Sequence, residues 1–253
     1  METIGLIAAM PSESGALLKK VRGWKRTRVG SFRGFGFKMT NRNCILLTSG
    51  MGVRRAAEAT HILIEKLHPA CVISFGIAGA VREDLKIGDV IMATQSCILD
   101  KGVLSQFKFL STLSDAAQET VEQALRHRGA RLVPGTAITT RGTQLVLQQP
   151  KEVVNPILEM ETAGILSATE AGGIPLVVIR SVSDGPLAPL PFDLEKFMDH
   201  NNNLRLGRLL LAVIKNPRLL IQSGQMRKNS RIAADNAAIV VVAILSQLLP
   251  LLT

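Results

Sequence analysis

Tyrosine is absent from this chain of 253 residues, tryptophan occurs once and cysteine three times. Without tyrosine, no step of any chemistry here can use a phenolic hydroxyl. Cys44, Cys71 and Cys97 stand singly inside apolar runs, which excludes a disulfide scaffold and suits buried thiols in a reducing, cytoplasmic compartment. The four histidines are scattered without metal-ligand spacing, so no metal site is expected. The 21 glycines show no period, excluding a collagen-like chain, and a hydrophobic fraction of 47% excludes disorder. The apolar stretch near the N-terminus, Ile4 to Met10 behind Glu2, is too short for a signal peptide. Acids are also scarce, 20 against 30 basic residues, for a net charge of +10.

That charge is unevenly spread. Between Ser14 and Ala57 there are eleven basic residues and no acid, and Asn201 to Thr253 carries a net +6, so the rest of the chain holds −7. A mildly acidic body with two basic flanks differs from a uniformly basic nucleic-acid binder. No aromatic-basic stacking platform accompanies the charge, and nucleic acid is not an expected partner.

Along the chain, fully apolar segments alternate with helical ones. Ile4 to Met10 reads as a buried strand, followed by a helix opened by Pro11, with Ser12 as its expected N-cap. Phe32 to Met39 and Cys44 to Thr48 read as strands. Ser49-Gly50-Met51-Gly52 then turns the chain into a helix reaching about Leu67. Ala70 to Phe75 is a strand expected to end in Gly76-Ile77-Ala78-Gly79. Asp89 to Cys97, Leu132 to Thr140 and Ile157 to Met160 read as extended, and Ser114 to Arg128 and Glu161 to Ala171 as helical. Ile174 to Val182 is a buried strand leading to Ser183-Asp184-Gly185. Strands without polar alternation, interleaved with helices, indicate an α/β domain: three layers, with a mostly buried mixed sheet covered by helices. Ligands in such sheets bind beyond the strands' carboxyl ends. Met10 to Glu13, Ser49 to Gly52, Gly76 to Gly79 and Ser183-Asp184 all fall there.

Taken singly these motifs are weak. Gly50-Met51-Gly52 has the start of a dinucleotide fingerprint, but Arg55 occupies the place of its third glycine, so no nicotinamide or flavin cofactor is expected. Glu13, Glu161 and Asp184 could each serve as an ordinary helix or turn acid. Three acids at three strand ends are more telling.

Ile4-Gly5-Leu6-Ile7-Ala8-Ala9-Met10 with Glu13, then Ser49 to Gly52, Gly76 to Gly79, Leu158-Glu159-Met160-Glu161 and Val182-Ser183-Asp184 occur in that order. Together, over roughly residues 2 to 215, they resemble the nucleoside phosphorylase/nucleosidase superfamily, and within it the methylthioadenosine/S-adenosylhomocysteine nucleosidase branch. Ile73 to Ala80 and Lys215-Asn216-Pro217-Arg218 resemble more narrowly the hopanoid-associated nucleosidases, which release adenine from adenosylhopane.

The resemblance implies hydrolysis of an N-ribosidic bond, without a cofactor. It implies Asp184 as the general acid at the purine and Glu13 as the group that positions and deprotonates water. Glu161 would accept the ribose hydroxyls, Met160 would pack against the sugar, Met51 would line the nucleoside site and Ser183 would orient Asp184. Gly79, Ala78 and Ile77 would form the adjoining loop. Ile77 stands where many members carry Ser or Thr, and losing that hydroxyl argues for water over phosphate as nucleophile. The expected purine-stacking aromatic between Thr139 and Val146 is missing, with Leu145 or backbone left to serve. A methylthioadenosine/S-adenosylhomocysteine nucleosidase, a phosphate-dependent phosphorylase and a non-catalytic nucleoside-binding protein remain as alternatives, and a homo-oligomer is expected from family precedent.

Residues 1–221 are expected to form the catalytic domain and 222–253 a basic, apolar helical tail. The apolar run Ala237 to Leu252 is short for a membrane span, which needs about 20 residues. Three readings stand for it: a helix packed on the body or on another subunit, an anchor lying on an anionic membrane surface, or a true transmembrane span.

Overall fold

The computed structural model describes residues 2–100, 102–140, 153–186 and 218–247. The chain runs β1 (Glu2–Ala8), α1 (Pro11–Leu18), β2 (Lys25–Val29), β3 (Phe32–Met39), β4 (Arg42–Thr48), α2 (Val53–Leu67), β5 (Cys71–Ala80) and β6 (Val90–Asp100). It continues through β7 (Val103–Leu104), β8 (Lys108–Phe109), α3 (Asp115–Arg126), β9 (Leu132–Thr140), β10 (Pro156–Glu159), α4 (Thr162–Gly172) and β11 (Leu176–Asp184) to α5 (Arg218–Ser246). The expected α/β architecture is present: a mixed sheet with helices on both faces, and a C-terminal helix.

The strand order is β10-β9-β6-β11-β5-β1-β4-β3-β2, with β7 and β8 added to β6. The most apolar strands, β1, β5 and β11, lie side by side at the centre and run parallel. β5 also meets β10 antiparallel, Ala80 opposite Ile157, so β5, β11, β6, β9 and β10 close into a ring at one end of the sheet. One face buries Leu17 of α1, Val121 and Leu125 of α3 and much of α5 against Leu6, Ile73 and Ile179. The other buries Ala59 and Leu63 of α2 and Ile165 of α4 against Ile7, Val72 and Val178.

Two local expectations are corrected. Met10, not Ser12, is the N-cap of α1. Pro11 lacks an N–H and has its φ preset, so it takes the first helical position and leaves Ser12 exposed within the first turn. The strand does not give way at Gly76 to Gly79, because β5 continues through these residues to Ala80.

The C-terminal helix packs on the body. Ala237, Ala238, Val240, Val241, Ile244 and Leu245 are all fully buried in the main core. Burying an aliphatic side chain of that size contributes ~1.5–3 kcal/mol. Polar bonds tie the helix down along its length: Asn236 Nδ2 donates to the Gly88 carbonyl at 2.8 Å, and Asp235 pairs with Lys20 at 2.6 Å and Arg128 at 2.5 Å. At its end Thr40 Oγ1 donates to the Leu245 carbonyl at 2.7 Å, and Arg42 donates to that of Gln247. The segment Gly224–Ser246 is long and apolar enough to cross a membrane. Most of its apolar side chains are nevertheless committed to the core, and Arg227, Lys228 and Arg231 are exposed.

Candidate active site

The pleat of β1 ends at Ala8, and the chain turns at once into α1, placing Glu13 in the first turn of that helix. Glu13 is buried, and its carboxylate bridges two elements. Oε2 accepts the N–H of Met10 at 2.8 Å, and Oε1 accepts that of Ile77 in β5 at 3.0 Å. Burial pushes its pKa up, opposed by these two bonds and by the charge of Arg180. The carboxylate fits because residue 76 has no side chain: a Cβ at Gly76 would collide with Glu13.

Glu161 reaches the same place from another direction. It caps the start of α4, and its Oε1 accepts the N–H of Gly52 at 2.8 Å. Gly52 is the N-cap of α2, with φ of 95°. That conformation strongly favours glycine, and the N–H it presents sits at the positive end of the α2 dipole. Burial and the neighbouring Glu159 charge nevertheless push the Glu161 pKa up to about 7. Glu13, Glu161 and Arg180 together line one small pocket with Ser74, Gly76 and Ile165.

Beneath the pocket lies a buried ion pair. Arg180 Nη2 stands 3.1 Å from Glu159 Oε2, with both side chains out of solvent, and donates to Ser74 Oγ at 3.0 Å. Glu159 also accepts from Thr139 Oγ1 at 2.6 Å, from the N–H of Glu161 at 3.0 Å and from the N–H and hydroxyl of Thr162, each at 2.8 Å. Burial alone would raise its pKa, but the Arg180 charge and these donors hold it below the ordinary value. The pair therefore pins the β10–α4 junction, which carries Met160 and Glu161.

Asp184 ends β11, where the register with β5 shifts between Val182 and Asp184 so that Asp184 faces Gly79. Such an irregularity re-aims a side chain. Asp184 Oδ2 lies 2.8 Å from where a Cβ on Gly79 would stand, so again a missing side chain makes room for a carboxylate. Ser183 Oγ donates to Asp184 Oδ1 at 2.5 Å and lies 3.3 Å from the Ala78 carbonyl. Burial raises the Asp184 pKa, and the Ser183 bond works against it. Met51 and Met160 are half-buried, beside Gly52 and Glu161 respectively, and Ile77 contributes its N–H to Glu13. The stretch in which a stacking aromatic was sought, with Leu145, lies largely outside the described residues.

The model of the Phosphorylase superfamily matches residues 3–215. The chain belongs to that superfamily. It is 30% identical over 209 residues, 77% of its length and 91% of the other's, to the 5'-methylthioadenosine/S-adenosylhomocysteine nucleosidase of Haemophilus influenzae (strain PittGG). The corresponding protein of Actinobacillus succinogenes is 29% identical over 211 residues, again covering 77% and 91%. In fold it resembles the Neisseria meningitidis nucleosidase of that name in complex with methylthio-immucillin-A, with a TM-score of 0.68 at 22% identity over 97% of this chain and 99% of that one. A futalosine hydrolase mutant of Helicobacter pylori matches with a TM-score of 0.68 at 17% identity, covering 96% and 98%. This member of the phosphorylase superfamily is a nucleosidase, an N-glycosyl hydrolase.

Reading motifs for strand ends and acids missed two residues of this nucleosidase site. Arg180 reads in the sequence as the interior of an apolar strand, and Glu159 as a neighbour of Glu161. The available signal was the arginine itself, since a charge within an apolar run requires a buried partner. Among the described residues no cluster of His, Cys, Asp and Glu could hold a metal ion.

Proposed function

We propose that this nucleosidase hydrolyses the N-ribosidic bond of a 5′-modified adenosine, adenosylhopane, releasing adenine. The observation that carries the reading is the set of three carboxylates packed against β5, two in one pocket and Asp184 outside it. Glu13 and Glu161 share one pocket at Gly76, and Asp184 faces Gly79 three residues further on, about 10 Å along the strand.

Asp184, with its raised proton affinity, donates to or hydrogen-bonds the departing purine, while Ser183 holds the other carboxylate oxygen. Glu13, fixed by two backbone donors and made more basic by burial, takes the proton of the attacking water. Glu161 accepts the ribose hydroxyls, whose donation favours its ionised form. Met160 and Met51 supply polarisable walls for the sugar, and Ile77, Ala78 and Gly79 line the β5 side. Water is favoured over phosphate because the pocket sets Glu13 and Glu161 beside a guanidinium already paired with Glu159. A phosphate dianion would meet net negative charge there.

The relatives' names favour the alternative of methylthioadenosine or S-adenosylhomocysteine as substrate, whereas the segment Ile73 to Ala80 favours the hopanoid nucleoside. Exposed Val103, Phe107 and Phe109 support a homo-oligomer built on the β7–β8 excursion. Adenine release from methylthioadenosine, S-adenosylhomocysteine and an adenosine with a long apolar 5′-substituent, each with and without phosphate, tests the reading. Phosphate-independent release, fastest on the apolar substituent, is expected. Preference for methylthioadenosine would replace the substrate, and formation of the 5-substituted ribose 1-phosphate would replace the nucleophile.

A further inference from the structure

The basic segment between Ser14 and Ala57 finds no use in the chemistry, and the fold gathers much of it at one sheet edge. β2 is the terminal strand, and Lys25, Arg26, Thr27 and Arg28 along it are all exposed. In the antiparallel register with β3, Arg28 lies directly opposite Arg33 and Arg26 opposite Phe35. Paired residues share a face, and so do residues two apart. Arg26, Arg28 and Arg33 therefore stand together on one side of the hairpin.

Two like charges directly opposite each other destabilise an antiparallel pair. Here nothing offsets them: none of Arg22, Lys25, Arg26, Arg28, Arg33 or Lys38 lies within ion-pair distance of a carboxylate among the described residues. Beside this stripe sits Trp24, the chain's one tryptophan, 39% exposed, with its ring edge-on to Phe35 at 5.4 Å. A tryptophan half-seated against the protein edge and flanked by unpaired cations has the chemistry of the bilayer interface, where indole rests at headgroup level and arginines meet lipid phosphates.

We propose that the β2–β3 edge is a docking surface for an anionic lipid bilayer. The alternative polyanion, nucleic acid, fits less well, because one tryptophan offers no succession of stacking platforms. The membrane contact is thereby assigned to the sheet edge and not to the tail's apolar run, whose side chains pack largely in the core. The proposal is independent of the substrate reading, and its test needs no nucleoside.

Full-length protein is sedimented with vesicles of phosphatidylcholine alone, or with about one-third phosphatidylglycerol, at about 0.1 M salt, where the Debye length is about 10 Å. Retention on the anionic vesicles only, lost at about 1 M salt, is expected. Each unit of charge near such a surface changes partitioning about fivefold, so Arg28→Glu/Arg33→Glu, a change of four units, lowers it on the order of several hundredfold. Single Arg28→Glu separates docking from folding: it places Glu opposite Arg33, so the thermal midpoint holds or rises while retention falls. Arg26→Gln/Arg33→Gln, which removes two charges without reversing them, lowers retention about 25-fold and serves as the test if the glutamate variants fold poorly. Equal retention on neutral vesicles, wild-type retention of the variants, or displacement from vesicles by duplex DNA at equal phosphate overturns the proposal.

Discussion

Replacing Gly76 by alanine moves the candidate general base without touching it chemically. A Cβ at residue 76 would stand 2.9 Å from Glu13 Cδ and closer still to Oε1. Ordinary carbon contacts lie at about 3.5–4.0 Å, so the carboxylate must retreat by about 0.5–1 Å. Its bonds from Met10 and Ile77, at 2.8 and 3.0 Å, stretch accordingly. Hydrogen bonds to a charged group contribute ~1.5–3 kcal/mol each, and partial loss of two lowers stability by ~1–3 kcal/mol. A misplacement of about 1 Å at a reacting group costs ~100-fold in rate. The assay is kcat/KM for adenine release, beside urea unfolding of the same samples. Gly15→Ala is the control: it lies in α1, the helix that carries Glu13, with nothing within 4 Å of a new Cβ. That change stabilises a helix interior by ~0.5–1 kcal/mol and leaves turnover unchanged. Wild-type kcat/KM in Gly76→Ala would refute the idea that Glu13 works from the position described.

Ile244→Ala on α5 removes a fully buried side chain and costs ~2–5 kcal/mol in urea unfolding, whereas a freely hanging tail predicts no change. Arg180→Met strands Glu159 in the core at a cost of ~3–5 kcal/mol, and the loss eases at low pH as Glu159 takes up a proton. Glu161, with a folded pKa of about 7 against an ordinary 4.5, binds a proton more tightly folded than unfolded. Its stabilising contribution is complete below about 4.5 and is lost as pH rises through about 7, and Glu161→Gln removes that slope from a stability-pH series.

Where burial is continuous, sequence and structure agree: β1, β5 and β11 are legible as apolar runs because both faces of the central sheet are covered. β2 is not, since Lys25-Arg26-Thr27-Arg28 has no apolar alternation and becomes a strand only by pairing at the edge. Gly76 and Gly79 read as punctuation, although each marks a place where a carboxylate from elsewhere presses on the strand. That meaning exists only once Glu13 and Asp184 are in space. The helix pattern of the tail was visible, but whether its apolar face met core or lipid depended on a groove between α1 and α3 that is built from distant segments.

The central claim is that Asp184 carries the proton to the leaving purine. Its most direct test is Asp184→Asn, an isosteric change at a partly exposed strand end, assayed for single-turnover adenine release and for binding of the intact nucleoside. The account predicts release slowed by ~100- to 10,000-fold with affinity nearly unchanged. Release at the wild-type rate would contradict it.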